Sequence, residues 1–356
     1  ETEKKIANYV GCKYAVLVSS ATAGLHITYK ALGLCKKNSL ITSPITFVST
    51  ANAAFYCNSK VLFSDINEDT ISLSTSILKK KLVQNKNNVK IISPVHMGGL
   101  AANMKEINQI AKAHKIKVVE DAAHAIGALY ECGSKVGSCK YSDATVFSFH
   151  PVKIIASGEG GVVTTNDYRL YLKLISLRTH GITSESIVNK KFGYTKGITN
   201  HWYYEMQNLG YHYRQTEIHA ALLNSQLDRI DTFLNKRKNL AKRYDQALDG
   251  NKYIQLIQKD YRNISSNHLY ILKFNFEKLK INRNDFMKKL REYNIITQVH
   301  YIPLPIHPFY KKKGYDVNKY KNSLKYYNEC LSIPIYYDLS YNQQDYVISA
   351  ILELTQ

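Results

Sequence analysis

The stretch FSFHPVK at residues 147–153 ends in a lysine, and GEGG follows it at residues 158–161. Upstream, the run VVEDAAH at residues 118–124 places Asp121 where an apolar strand would end. A lysine amine can form a Schiff base with the aldehyde of pyridoxal phosphate, and an aspartate can keep the pyridine nitrogen of that cofactor protonated. Taken singly, Lys153 also fits a surface lysine and Asp121 a helix cap. Together they predict a pyridoxal phosphate site built on strand ends.

Around this stretch, short apolar runs alternate with helical patterns, which indicates an α/β fold. The runs are apolar almost throughout, as expected for a largely parallel sheet with helices on both faces. The predicted strands are Tyr14–Ser19, Leu40–Ser43, Lys60–Phe63, Val89–Pro94, Val118–Glu120, Ala144–Ser148 and Gly161–Thr165. The predicted helices lie near Ala21–Leu32, Phe47–Tyr56, Ser74–Val83, Met104–Ala113 and Asp167–Leu177.

A long helical pattern from about Thr216 to Leu248 follows, and it predicts a link between two domains. Beyond it, strands near Leu269–Phe274 and Gln298–Tyr301 and a closing helix near Gln343–Leu354 indicate a smaller α/β region.

Composition supports two domains, because 356 residues with 45% hydrophobic content can bury a sizeable core. We expect a large cofactor-binding domain at residues 1–230 and a small C-terminal domain at residues 231–356. No apolar stretch reaches the length of a membrane span, and the first residues lack a signal-peptide apolar region. Six scattered cysteines without zinc-like spacing favour a reduced, cytoplasmic setting and no metal site.

The formal net charge is +20, which fits either a nucleic-acid binder or an enzyme for anionic ligands. The lysines are spread over helix-like and loop positions, so we favour a lysine-rich solvated surface and expect no nucleic-acid partner. A phosphorylated or nucleotide-linked substrate would also benefit from the positive field.

Three further motifs carry candidate cofactor-binding residues. In VSSATAGL, residues 18–25, a strand end turns into a helix, so that Ala21 and Thr22 can hold a phosphate, with Ser148 as a second hydroxyl donor. An ordinary capped helix explains this motif equally well. Phe47 can stack on a flat ring, or be a core phenylalanine. His124, one turn past Asp121, can contact the cofactor or be a buried structural histidine.

These motifs, together with residues 45–52, 177–182, 202–211, 299–303 and 331–340, resemble the DegT/DnrJ/EryC1/StrS family of nucleotide-sugar aminotransferases. The resemblance covers nearly the whole chain, in order. It implies a fold-type-I pyridoxal phosphate enzyme with a mostly parallel seven-stranded sheet and a smaller C-terminal α/β domain. It further implies a homodimer with shared active sites.

The resemblance also assigns roles to the candidate residues. Lys153 would bind the cofactor covalently and move the proton during transfer, and Asp121 would bind the ring nitrogen. Phe47 would stack on the ring, and His124 would lie near its phenolic oxygen. The phosphate would be held by Ala21, Thr22 and Ser148.

Within the family, residues 202–210 and 336–338 most resemble the branch that aminates C4 of a UDP-linked 4-keto-6-deoxy-N-acetylhexose in pseudaminic acid biosynthesis. Glutamate is the implied amino donor. Transfer at C3 or to a dTDP- or GDP-sugar remains an alternative, because substrate specificity lies in loops. A non-catalytic regulator with the same fold is a third possibility. Lys153 argues against it and against a dehydratase of the family.

The chain departs from the family pattern in two places. Relatives usually carry roughly thirty more residues before the position matching Glu1, so we expect the chain to lack an N-terminal stretch. Second, His212 stands where relatives commonly have an asparagine that reaches the phosphate across the dimer interface. An imidazole N–H can donate in the same way, and the alternative is a surface histidine.

Overall fold

The computed structural model describes residues 1–84, 88–183 and 202–356. A seven-stranded sheet in the order β1-β7-β6-β5-β4-β2-β3 forms its centre. Its strands are β1 (Tyr14–Val18), β2 (Ser39–Thr42), β3 (Lys60–Phe63), β4 (Val89–Ser93), β5 (Lys117–Asp121), β6 (Ala144–Ser148) and β7 (Gly161–Thr165). The helices around it are α1 (Thr2–Val10), α2 (Ala21–Ala31), α3 (Ser49–Tyr56), α4 (Thr75–Gln84), α5 (Met104–Ala113) and α6 (Tyr168–Arg178).

Only β7 runs against its neighbours in this sheet, pairing antiparallel with both β1 and β6. The other pairings, β2 with β3 and β4, β4 with β5, and β5 with β6, are parallel. The carboxyl ends of β1, β2, β4, β5 and β6 therefore meet at one edge, next to the start of β7. This is the edge at which open α/β sheets bind ligands.

Both faces of the sheet are buried, which explains why its strands are apolar throughout. Along β6, Val146 packs into one hydrophobic cluster and Phe147 into another. Val162 and Val163 divide in the same way along β7. Since successive side chains of a strand point to opposite faces, each cluster lies on one face. The mostly parallel sheet predicted from the sequence is confirmed.

The predicted helix from Thr216 to Leu248 is two helices, α7 (Glu217–Leu227) and α8 (Ile230–Leu248). At the break, the N–H of Arg229 donates to the carbonyl of Gln226, three residues earlier, instead of four. This tighter turn separates the two helices without altering the apolar spacing that the prediction used. The prediction of one helix was therefore wrong.

The C-terminal part contains a three-stranded antiparallel sheet in the order β10-β11-β12. Its strands are β10 (Ile254–Leu256), β11 (Tyr270–Phe274) and β12 (Cys330–Ile333). A separate two-stranded sheet is formed by β8 (Ile182–Thr183) and β9 (Glu205–Met206). The remaining helices are α9 (Arg283–Glu292), α10 (Pro308–Lys312), α11 (Lys321–Glu329) and α12 (Tyr341–Leu354). A third hydrophobic cluster joins α8, α9 and α12 to this sheet.

The strand predicted at Gln298–Tyr301 does not form. Gln298 makes a single bridge to Ser332, and the N–H of Val299 then bonds to the side chain of Gln298 at 3.0 Å. Because the side chain replaces the neighbouring strand as acceptor, the ladder ends after one residue. Among the described residues, no helix combines the length and apolar character that a membrane crossing requires.

Candidate active site

A cavity of about 260 Å³ opens where the carboxyl ends of β1, β5 and β6 meet. It is lined by most of the residues predicted for the cofactor site: Ala21, Thr22, Phe47, Asp121, His124, Ser148 and Lys153. The structure therefore gathers these residues in one place, and their individual roles remain predictions. The predicted residue outside this lining is His212.

Lys153 lies in the loop after β6, where its backbone N–H donates to the carbonyl of His150 at 2.9 Å. Burial lowers the pKa of Lys153 from 10.5 to about 8, although the charge of Asp121 acts in the opposite direction. Part of the lysine population is then unprotonated near neutral pH. Only the neutral amine has a free electron pair for nucleophilic attack.

Asp121 is the last residue of β5 and is 5% exposed. Its Oδ2 accepts a hydrogen bond from the hydroxyl of Thr50 at 2.5 Å, and its Oδ1 accepts from the N–H of Ala123 at 3.1 Å. The Thr46 hydroxyl lies 2.7 Å from that of Thr50. These contacts fix the orientation of the carboxylate at the cavity wall. The sequence analysis did not identify the two threonines as its partners.

His124 is buried, and its Nε2 lies 3.0 Å from the hydroxyl of Tyr301. Burial lowers the pKa of His124 well below 6.5, and the charge of Lys153 lowers it further. The imidazole is therefore neutral at physiological pH. Its Nδ1 is buried without a hydrogen-bond partner in the part of the chain that the structure describes. Tyr301 also lines the cavity and was missed as a site residue, although the motif at residues 299–303 contains it.

The amino end of α2 forms a further part of the wall. Ser20 caps the helix by accepting from the N–H of Ala23 at 3.1 Å, and the hydroxyls of Thr22 and Ser49 lie 2.7 Å apart. The side chain of Ser148, at the end of β6, lines the same cavity. Hydroxyl donors beside the positive end of a helix dipole favour an anion such as phosphate.

Gly161 begins β7 opposite this helix end. A Cβ at position 161 would lie 2.6 Å from the backbone nitrogen of Ala21 and 2.7 Å from the carbonyl carbon of Ser20. Both distances are shorter than non-bonded atoms tolerate, so β7 and α2 can come this close only with glycine at 161.

Phe47 presents its ring to solvent at the cavity and is 56% exposed. Its ring centre lies 6.1 Å from that of Tyr301, with the two planes inclined at 56°. An exposed aromatic face on a cavity wall can stack on a flat heteroaromatic ring.

His212 lies outside the cavity. It is exposed, its backbone pairs with Thr179 in an isolated bridge, and its ring stacks on that of His180 with centres 5.4 Å apart. The predicted contact across a dimer interface involves a second chain, so the geometry of one chain does not test it.

Glu120, next to Asp121 in β5, is fully buried in a cage of donors that the sequence analysis did not anticipate. Its carboxylate accepts from the hydroxyls of Tyr130, Ser142 and Thr145, and one oxygen lies 2.7 Å from Nε2 of His96. Burial raises the pKa of Glu120, but these contacts outweigh it, so the pKa is lowered. The backbone N–H of His96 also donates to the carbonyl of Asp121 at 3.0 Å, which connects the cage to the site.

The residues present fit pyridoxal phosphate. A lysine of lowered pKa faces a fixed carboxylate, a hydroxyl-lined helix end can receive the phosphate, and the buried Nδ1 of His124 lacks a partner. Within residues 1–84, 88–183 and 202–356, no group of three or more His, Cys, Asp or Glu side chains could hold a metal ion.

The fold and this site define a fold-type-I, pyridoxal phosphate-dependent aminotransferase, and a solved structure has the same architecture. That structure is PseC from Helicobacter pylori, an aminotransferase involved in the biosynthesis of pseudoaminic acid. It matches with a TM-score of 0.90 and 27% sequence identity, over 99% of this chain and 90% of its own.

The model of the DegT/DnrJ/EryC1/StrS aminotransferase family matches residues 1–352, and the chain belongs to this family. One relative is the UDP-4-amino-4,6-dideoxy-N-acetyl-beta-L-altrosamine transaminase of Campylobacter jejuni, 35% identical over 100% of this chain and 89% of its own length. Another is the spore coat polysaccharide biosynthesis protein SpsC of Bacillus subtilis, 36% identical over 99% of this chain and 88% of its own. The family predicted from the motifs is confirmed.

Proposed function

We propose that this aminotransferase transfers the amino group of L-glutamate to C4 of a UDP-linked 4-keto-6-deoxy-N-acetylhexose, a step of pseudaminic acid biosynthesis. The observation that carries the proposal is the similarity to the altrosamine transaminase of Campylobacter jejuni over the whole of this chain. The similarity to PseC, at a TM-score of 0.90, supports the same substrate class.

The roles proposed for the site residues are those that the family resemblance implies, and the gathering of these residues in one cavity supports them. When bound, pyridoxal phosphate supplies an electron sink for the carbon next to the transferred nitrogen. Lys153 Nζ accepts and returns the proton at that carbon, and its lowered pKa keeps part of it unprotonated. With the cofactor bound, Asp121 would hold the ring nitrogen, Phe47 would orient the ring, and His124 would contact its phenolic oxygen.

The phosphate is held, in this proposal, by Ala21 and Thr22 at the start of α2 and by Ser148 at the end of β6. His212 of a second copy adds a donor, so that the active unit is a homodimer. Large exposed apolar side chains occur close to His212 in sequence, as a dimer surface requires. These are Trp202, Tyr204, Met206, Leu209, Ile218 and Leu222.

We also propose that residues 1–230 and 231–356 form the two domains. Ile230 and Phe233, at the start of α8, pack into a cluster of the large sheet. Leu240 and Tyr244, further along α8, pack into the C-terminal cluster. The helix thus changes partners between Phe233 and Leu240, a few residues after the proposed boundary. All six cysteines are free thiols, which supports a cytoplasmic setting.

An amination assay tests the substrate assignment. Purified protein, pyridoxal phosphate, glutamate and a UDP-linked 4-keto-6-deoxy-N-acetylhexose are expected to yield a 4-amino sugar, with its position read by NMR. Lys153→Ala should yield none, because the proton acceptor is lost, whereas Lys80→Ala, an exposed lysine of α4, should retain full activity. Amination at C3, or only of dTDP- or GDP-linked ketoses, would contradict the proposal.

A further inference from the structure

A second cavity, of about 780 Å³, meets the first at Lys153. Its walls come from the junction of α7 and α8, the segment at residues 296–301 and the segment at residues 332–338. Val152 and Tyr301 line both cavities. A substrate whose nitrogen reaches the first cavity can therefore extend past Lys153 into the second.

A buried cation without a counter-charge lies in this wall. Arg237, in α8, is 5% exposed, and its Nη1 donates to the carbonyls of His268 at 3.1 Å and Ile335 at 3.0 Å. Among the described residues, no carboxylate lies within ion-pair distance of its guanidinium. Burial lowers the pKa of Arg237 to about 10, so the group stays charged at neutral pH. A buried charge normally has an ionic partner.

Arg229 provides a second, accessible cation at the rim of the same cavity. Its guanidinium carbon lies 5.0 Å from the ring centre of Phe233 and 5.9 Å from that of Tyr337. These rings hold the guanidinium in place by cation–π contact and leave its N–H donors available. No carboxylate of the described residues forms an ion pair with Arg229.

The rest of the lining does not cancel this positive charge. Burial lowers the pKa of His300 to about 4 and that of His268 well below 6.5, so both rings are neutral at physiological pH. One carboxylate, that of the exposed Asp338, belongs to the lining. Two guanidinium groups against a single exposed carboxylate favour an anionic ligand.

We propose that this second cavity is the subsite for a carboxylate of the amino donor, with Arg229 as the contacting residue and Arg237 as the source of a supporting field. The inference rests on the proposed function in taking an amino acid as donor. In such a donor the carboxylates are only a few bonds from the transferred nitrogen, which must reach Lys153. The rings of Phe233 and Tyr337 provide an apolar wall for the methylene groups that lie between the two carboxylates of the donor.

Calorimetric titration with glutarate tests the subsite, because glutarate has the two carboxylates of glutamate but no amine to react. Arg229→Gln is expected to weaken glutarate binding about tenfold or more, the effect of losing one charged hydrogen bond. Arg229→Lys should recover part of the affinity, since it restores the charge. Arg291→Gln, an exposed arginine of α9 that lines neither cavity, should change the affinity less than about twofold.

A steady-state measurement adds a second readout. In Arg229→Gln the KM for glutamate should rise about tenfold, while the KM for the nucleotide sugar stays within about twofold. Unchanged glutarate affinity in Arg229→Gln, or no glutarate binding by the native protein, would overturn the proposal. If Arg229→Gln binds uridine 5′-diphosphate more weakly but glutarate as tightly as the native protein does, the proposal is also overturned, because the cavity then binds the nucleotide. If Arg229→Gln loses glutarate binding but the native protein aminates no UDP-linked ketose, the proposed function is rejected and the carboxylate subsite is retained.

Discussion

Around Lys153, burial keeps the imidazoles of His124, His268 and His300 neutral while leaving the lysine itself close to titration. Burial holds the pKa of His124 and His268 well below 6.5 and lowers that of His300 to about 4, and the charge of Lys153 adds to each shift. The pKa of Lys153 is lowered to about 8. Lys153 is therefore the group of this set whose protonation changes near physiological pH, as a residue that moves protons requires.

This lowered pKa predicts a specific pH dependence of stability. Well below pH 8 the amine is almost entirely charged in both the folded and the unfolded chain, and burial of this charge destabilises the fold. Between about pH 8 and pH 10.5 the unfolded chain binds more protons than the folded one, so stability rises with pH. Without cofactor, the free energy of unfolding of the native protein should rise by about 2 to 3 kcal/mol relative to Lys153→Met from pH 7 to pH 10. Urea denaturation at both pH values measures this, and a constant difference would show that burial does not perturb the lysine.

Individual site residues were predictable to different degrees. Lys153 and Asp121 could be identified because the chemistry of the cofactor demands an amine and a carboxylate at strand ends. The contact between Tyr301 and His124 could not be predicted, because the two residues are 177 positions apart in the chain. The same limit applies to Thr50, which contacts Asp121 from α3. Contacts between distant segments leave no periodic signal in the sequence.

Among the elements, β7 has the greatest effect on the site because it runs antiparallel between β1 and β6. Its first residue, Gly161, pairs with Val18 of β1 and with Ser148 of β6. Both partners are the last residues of their strands, so β7 starts beside the hydroxyl-lined wall of the cavity. The separation of β7 from α2 therefore depends on the side chain at position 161.

The substitution Gly161→Ala tests this dependence. The added Cβ would meet the backbone of Ala21 and Ser20 at 2.6 and 2.7 Å, so α2 must move away from β7. We expect a cost of about 1 to 3 kcal/mol in the free energy of unfolding, from overpacking. We also expect at least about tenfold weaker binding of pyridoxal phosphate, since the helix end is displaced. Denaturation measures the free energy of unfolding, and a fluorescence titration measures the cofactor affinity. An unchanged cofactor affinity would show that the helix end does not contribute to phosphate binding.

The elements of the large sheet followed from the sequence, whereas those of the C-terminal part did so only partly. Fully buried strands are apolar throughout, which makes β4, β5, β6 and β7 easy to recognise. In contrast, β10 has three residues and no fully buried side chain, and β12 follows α11 without a connecting turn. Such short strands are defined by their partners more than by their own residues.

At the scale of the whole molecule, exposed apolar side chains between residues 202 and 222 contrast with a surface that is otherwise rich in lysine. Ile218 is 81% exposed and Leu209 is 69% exposed. The sequence alone could not reveal this exposure, because an apolar helix position is usually buried. Together with the predicted role of His212 in a second copy, this surface supports the proposed homodimer.

Ile218→Asp should disrupt that dimer, because it places a charge within an apolar contact. Sedimentation analysis is expected to show a shift from two chains to one, with weaker cofactor binding as the donor from His212 is lost. Val83→Asp, which changes a 62% exposed valine in α4, provides the matched control and should leave the mass unchanged. A native protein that sediments as a single chain would refute the shared site.

The adjacent acids of β5 have a consequence for anyone who redesigns this enzyme. Glu120 and Asp121 point to opposite sides of the sheet, one into a cage of hydroxyls and the other towards the cavity. Inserting or deleting one residue in this strand would exchange them, since a one-residue slip in pairing turns every side chain over. The side chain of Glu120 would then point into the cavity that Asp121 lines, and the hydroxyls around Glu120 would lose the carboxylate to which they donate. Loop grafts intended to change sugar preference should therefore leave the spacing between Lys117 and Asp121 untouched.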